Sequence, residues 1–173
     1  PVIFNSIYTA EHYDARLEQP GWDSPGFDDS KWTRPLNTGT PSANITAQAL
    51  HPVRNVEKIP AVSMTRFSNR NYLFDFGRNI SGVTAIKVRG EAGTTLRLIH
   101  AERLGSDGHA DLSNIDVHYR PSDDSDPFQT DIVILSGIRE DEFMPRFNYK
   151  GFQYVEVVSD KPVEITSESL EAY

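Results

Sequence analysis

The sequence predicts an all-β fold, an antiparallel β-sandwich or jelly roll, on three observations. Short alternations of apolar and polar residues recur along the chain, and turn residues separate them. No stretch of about ten residues carries the periodicity of an amphipathic helix. With 173 residues, 38% of them hydrophobic, the chain is long enough for one domain with its own core.

The N-terminal part is turn-rich. Pro20-Gly21-Trp22 and Pro25-Gly26-Phe27 set two turn signals among large aromatics, and Pro and Gly recur too often for a long helix. The stretch reads as an ordered loop pinned by Trp22, Phe27 and Trp32, with Asp28 or Asp29 capping a helical turn that ends near Trp32. Strands are then expected at 53–59, 61–67, 72–76, 83–89, 94–102, 131–135, 142–147, 151–158 and 163–170. In 94–102, Leu96, Leu98 and His100 share one face, and Thr95, Arg97, Ile99 and Ala101 the other. Gly77 and Gly82 bracket a tight turn, and 105–128 forms a long connection of the kind that carries function or mobility. The expected organisation is a turn-rich segment, residues 1–45, packed on a sandwich of residues 46–173.

Composition removes several function classes. Seventeen Lys and Arg against twenty-five Asp and Glu give a net charge of −8, which argues against a nucleic-acid partner. No apolar run approaches the roughly 20 residues of a membrane span, so no membrane insertion is expected. The opening Pro1-Val2-Ile3-Phe4-Asn5-Ser6 lacks the basic start and apolar stretch of a signal peptide. It also lacks Met, and reads as cut from a longer polypeptide. The absence of cysteine excludes a disulfide scaffold, a thiolate metal site and a cysteine nucleophile.

Motifs for chemistry are sparse. Glycoside hydrolysis needs two carboxylates facing each other across a cleft, and the candidates are Asp14, Glu102, Asp107, Asp116 and Glu156. Among 25 acidic residues, most are solvated or form turns. His100 and Glu102 fall on one strand face by their spacing, but no second nearby histidine completes a zinc set. Asp123-Asp124-Ser125-Asp126 lacks the central Gly and distal Glu of an EF-hand loop and reads as a solvated turn. No Gly-x-Ser-x-Gly elbow occurs, and Gly77 to Gly82 lacks the Gly-Lys-Ser/Thr ending of a phosphate loop. Trp22, Trp32, Tyr119, Tyr149 and Phe152 could stack on sugar rings, although aromatics beside Pro-Gly turns more often plug small satellite cores.

An ordered set of phrases resembles one family. These are Glu11-His12-Tyr13-Asp14-Ala15-Arg16-Leu17-Glu18, then Pro20-Gly21-Trp22 and Phe27-Asp28-Asp29-Ser30 followed by Trp32. Further on come Pro52-Val53-Arg54, Phe74-Asp75-Phe76-Gly77-Arg78-Asn79-Ile80-Ser81-Gly82, and His100-Ala101-Glu102 with Leu104 and Asp107-Gly108. The set ends with Pro145-Arg146-Phe147-Asn148-Tyr149-Lys150-Gly151-Phe152-Gln153-Tyr154-Val155-Glu156-Val157. Together they resemble the region upstream of the catalytic core in bacterial α-L-rhamnosidases, glycoside hydrolase family 78. The family often carries His at the position of Lys150 and Gln at that of Arg78, departures that leave the framework glycines alone.

The resemblance implies a concanavalin-like β-sandwich placed before an (α/α)6 barrel, in which an acidic pair hydrolyses terminal rhamnose with inversion. It implies no catalytic residue and no cofactor in this chain, and makes the barrel of the same polypeptide its partner. A glycan-degrading bacterial parent of this kind is often exported to the periplasm or the cell exterior. The leading expectation is therefore a non-catalytic domain that supports or shapes the barrel. The alternative is an autonomous carbohydrate-binding module for rhamnose-containing glycans. His100, Glu102 and Asp107, beside the longest loop, are the expected binding or domain-interface residues, together with Asp14 and Arg16 as a structural ion pair.

Overall fold

The computed structural model describes residues 1–115 and 126–173. Alternation decides its inner face. In the strand Thr95–Ala101, Leu96, Leu98 and His100 are buried, while Thr95, Arg97 and Ile99 on the opposite face are only half-buried. The described residues form thirteen strands: β1 Val2–Asn5, β2 Glu11–Asp14, β3 Ile59–Pro60, β4 Ser63–Ser68, β5 Asn71–Gly82, β6 Thr84–Val88 and β7 Thr95–Ala101, followed by β8 Arg103–Leu104, β9 Ala110–Asp111, β10 Thr130–Ile134, β11 Asp141–Phe143, β12 Lys150–Ser159 and β13 Leu170–Ala172. A single 3₁₀ turn, Ala15–Leu17, follows β2, and the Asp14 side chain caps it by accepting from the Arg16 N–H.

The strands build a sandwich. A seven-stranded sheet in the order β1-β2-β10-β7-β12-β5-β4 faces a four-stranded sheet in the order β11-β6-β13-β3. Pairing is antiparallel except between β2 and β10, which run parallel with His12 beside Ile132 and Tyr13 beside Val133. The core lies between the sheets. Tyr72, Phe74, Phe76, Leu96, Leu98, Val133, Phe152, Val155 and Val157 come from the larger sheet, and Ile86, Val88, Phe143, Leu170 and Ala172 from the smaller. Each Val, Leu, Ile or Phe among them contributes roughly 1.5–3 kcal/mol by leaving water. Strands β8 and β9 form a separate hairpin, with Arg103 opposite Asp111.

Several expectations shift. The expected strand at 53–59 shrinks to Ile59–Pro60, because Val53 and Val56 remain exposed and pair with nothing in the sheets. The expected turn between Gly77 and Gly82 is a bulge inside one long strand, β5: Phe152 of β12 pairs with Ile80, and Tyr154 already pairs with Asp75. Gly77, at φ +72°, permits that bulge, and Asp75 Oδ1 accepts its N–H at 2.7 Å. Of 163–170 only the last residue enters a strand, yet Val163 stays buried, its carbonyl accepting from the Tyr72 hydroxyl at 2.7 Å. The first fourteen residues, read as loop, supply two strands. In β1 the apolar run Val2-Ile3-Phe4 shows no alternation, and in β2 Glu11 rather than an aliphatic residue occupies an inner position.

Two compact units are present, Pro1–Glu18 with Asn55–Tyr173, and Gln19–Arg54. The smaller is a run of turns. The Trp22 N–H reaches Gln19 O at 3.2 Å, the Ser24 N–H reaches Gly21 O at 2.9 Å, and the Trp32 N–H reaches Asp29 O at 2.8 Å. The Phe27 and Trp32 rings pack 5.6 Å apart, and the indole N–H of Trp32 donates to Gln19 Oε1 at 2.6 Å. Asp28 accepts from the Ser30 N–H at 3.0 Å, which closes a turn in place of the expected capped helical turn.

Phe152 is fully buried, with Phe76 and His100 packed edge-on against its ring. Replacing Phe152 with Ala removes that ring from the core beneath the start of β12. The expected loss is about 3–5 kcal/mol of unfolding free energy, measured by urea titration with an unchanged slope.

Candidate functional site

Of the five residues singled out in the sequence, the structure joins Asp14 to Arg16 and places His100, Glu102 and Asp107 in three different surroundings. His100 lies inside the sandwich. Its Nδ1 faces the carbonyl oxygens of Leu98 and Gln129 at 3.0 and 3.2 Å, so this nitrogen carries the proton and donates. Nε2 then accepts from the Thr84 hydroxyl of the opposite sheet at 2.9 Å. Burial, reinforced by the nearby Lys150 charge, pushes the His100 pKa down to about 4. The ring is thus a neutral tie between the sheets. Glu102 does not share its face: β7 ends at Ala101 and Glu102 is exposed, accepting from Asn114 at 3.4 Å. Asp107 sits in the exposed β8–β9 turn and accepts the His109 N–H at 3.2 Å. Asp14 holds the Arg16 guanidinium by two bonds of 2.9 and 2.7 Å, and that hydrogen bonding keeps its carboxyl below its ordinary pKa.

A second cluster, missed in the sequence, is deeper. Lys150 opens β12 with its side chain 4% exposed, and Asp131 of β10 is fully enclosed. The ammonium donates to both oxygens of Asp131 at 2.8 and 2.9 Å and to Asn148 Oδ1 at 2.7 Å. Glu11, buried beside them on β2, donates its backbone N–H to Asp131 at 2.9 Å and accepts the Arg146 N–H on its side chain at 3.2 Å. Burial raises the Glu11 pKa and the Asp131 charge adds to it, against the backbone donors of Arg146 and Phe147. Burial lowers the Lys150 pKa, with Asp131 opposing. His12, on the other face of β2, packs at a tilt against Phe4 with ring centroids 4.5 Å apart, and burial lowers its pKa. The signal was present in the spacing. Asp131 is two residues from inward Val133 and Lys150 two from inward Phe152, which places both charges on the core face.

The outer face of the larger sheet carries a third group. Glu156 is almost buried there. One oxygen accepts from Asn71 and meets His109 Nδ1, both at 2.7 Å, and the other accepts the Ala110 N–H at 2.8 Å. Phe67 stacks on His109 at 4.2 Å. The carboxylate clamps the β8–β9 hairpin onto the sheet and raises the His109 pKa through that hydrogen bond and its charge.

Among the described residues no cluster of three or more His, Asp or Glu is placed to hold a metal ion. Of the aromatics considered for sugar stacking, Phe152 is a core residue, whereas Tyr149 is exposed. Asp116, Tyr119 and the acidic run 123–125 lie outside the described residues.

Two outcomes test these groups. Lys150→Met leaves Asp131 enclosed without its cation and is expected to cost about 3–5 kcal/mol in urea unfolding, with part of the loss recovered by adding Asp131→Asn. The histidines give opposite pH signs. His100 stays neutral when folded but takes a proton near 6.5 when unfolded, so stability falls as pH drops from about 6.5 to about 4. The contribution of His109, whose pKa is raised, is complete below its ordinary value and is lost as pH rises through the raised one. Ring titration by NMR checks both: a His100 that protonates near 6.5, or a His109 that titrates below it, contradicts the geometry.

Comparisons with known proteins identify the sandwich. Residues 65–173 match the bacterial alpha-L-rhamnosidase concanavalin-like domain, and residues 1–57 the alpha-L-rhamnosidase N-terminal domain. The chain is 38% identical over 159 residues to an alpha-L-rhamnosidase of Streptomyces avermitilis, covering 91% of this chain and 14% of that one. Against an alpha-L-rhamnosidase of Alteromonas sp. the identity is 35%, covering 91% and 16%. The solved alpha-L-rhamnosidase of Dictyoglumus thermophilum superposes with a TM-score of 0.84 at 34% identity, over 99% of this chain and 18% of that one. That of Streptomyces avermitilis, complexed with L-rhamnose, gives 0.81 at 36%, over 99% and 16%. The chain therefore spans less than a fifth of each of these relatives. Two matched domains in order, on a sandwich that superposes over nearly its whole length, place the chain in the bacterial α-L-rhamnosidase family, as its N-terminal and concanavalin-like domains.

Proposed function

We propose that the chain is the non-catalytic sandwich of an α-L-rhamnosidase that hydrolyses terminal α-L-rhamnosides with inversion, and that it supports or shapes an (α/α)6 catalytic barrel in the same polypeptide. One observation carries the reading. Nearly all of this chain matches rhamnosidases, yet it accounts for only 14–18% of their length. The side chains agree with it. An inverting site needs two carboxyl groups about 6.5–9.5 Å apart with room for a water between them. Asp14 is taken by Arg16, Asp131 by Lys150, and Glu156 by His109, Asn71 and the Ala110 N–H. These carboxylates hold the fold together.

The full-length polypeptide is expected to turn over an aryl α-L-rhamnoside, and the 173-residue chain, shown folded by circular dichroism, to turn over none. Calorimetric titration of that chain with millimolar L-rhamnose, with and without Ca²⁺, is expected to give no saturable heat. Saturable heat would replace this reading with the carbohydrate-binding module. Turnover by the short chain, abolished by Glu102→Gln or Asp14→Asn, would overturn both.

A further inference from the structure

We propose that the end of the sandwich bearing Ile7, Tyr8, Phe147 and Tyr149 is the surface on which the following domain of the same rhamnosidase polypeptide docks. The proposal rests on the supporting role just described and names the surface that performs it.

Four large apolar side chains are presented there, 69%, 71%, 59% and 62% exposed respectively. Scattered exposed apolar residues are ordinary on a protein surface. These four differ because they belong to two segments that one buried cluster ties together. Ile7 and Tyr8 lie in the β1–β2 turn, which is closed by Ser6 N–H to Ala10 O at 3.0 Å and by Tyr8 N–H to Ser6 Oγ at 3.2 Å. Phe147 and Tyr149 lie in the strap that crosses from β11 of the smaller sheet to β12 of the larger. Glu11, directly after the turn, accepts the Arg146 N–H of the strap, and Asn148 between the two aromatics accepts from Lys150. Both segments are fixed before any partner arrives, which removes much of the ordering cost of association.

The C-terminal residue identifies the occupant. Tyr173 exchanges hydrogen bonds with Val83 at 2.9 and 3.1 Å, and the preceding Gly82 pairs with Lys150 at the foot of the strap. A polypeptide continuing past Tyr173 would leave the sandwich at this end. In the relatives more than four-fifths of the chain lies outside the matched stretch. Ile138, by contrast, is 85% exposed at the opposite end, beyond the close of β10, with no comparable apolar neighbours on its segment.

Hydroxyl-radical footprinting of the full-length polypeptide tests this, with each residue's oxidation rate normalised to that of the urea-unfolded protein. Tyr8, Phe147 and Tyr149 are expected to oxidise several-fold more slowly than Ile138. If they keep pace with Ile138 while other apolar residues, such as Val62 and Phe67, are shielded, the docking end is overturned and the supporting role stands. If no exposed apolar residue of the sandwich is shielded, both fall.

Discussion

The Lys150 ammonium is the point on which the architecture turns. Asp131 and Asn148 bind it directly, and Glu11 joins through its backbone N–H to Asp131. Three stretches separated in sequence thereby meet: β2, β10 and the strap that runs into the start of β12. The apolar core explains why two sheets stack. It does not by itself explain why β2 lies parallel beside β10, or why the strap closes this end. Those features follow from charges that find partners only in this arrangement.

A buried ion pair is a poor source of net stability, because removing two charges from water costs about as much as their attraction returns. Its stronger effect is on alternatives. Side chains in a strand alternate faces, so a one-residue slip of β12 would turn Lys150 outward and leave Asp131 enclosed without a cation. Lys150 and Asp131 therefore penalise the wrong registers of β12 against β5 and β7 more than they deepen the right one. His100 acts similarly without charge. Its two nitrogens satisfy carbonyls of β7 and the β10 approach on one side and Thr84 of the smaller sheet on the other, which fixes one sheet over the other.

This division explains what the sequence disclosed. Strands β6, β7, β10 and β12 were legible because aliphatic and aromatic residues recur on their inner faces, as Ile86 and Val88 do in β6 and Leu96 and Leu98 in β7. Strand β2 was not, because its inward residues include Glu11, whose burial depends on partners more than a hundred residues away. The reverse error came at Val53 and Val56, β-forming residues with which no neighbouring strand pairs. At the site, His100 was picked for its chemistry and proved to be a tie between sheets. Glu102 parted from it because period-two reasoning holds only while the strand lasts, and β7 ends at Ala101. Lys150 and Asp131 were visible as charges on an apolar face, but their pairing is tertiary and no local spacing encodes it.

The same physics bears on the division of labour within a rhamnosidase. A carboxylate that must donate or accept a proton in turn needs a pKa free to move and an open side facing substrate. Asp14 has lost that freedom to a guanidinium, and Asp131 and Glu156 are closed in by their donors. Glu11 has the raised pKa of a proton donor, but it is enclosed and its oxygen is committed to the strap. Among the described residues, the buried carboxylates Glu11, Asp131 and Glu156 are therefore committed to holding segments in place. What the domain presents outward at that end is a fixed apolar surface, the form suited to positioning a neighbour.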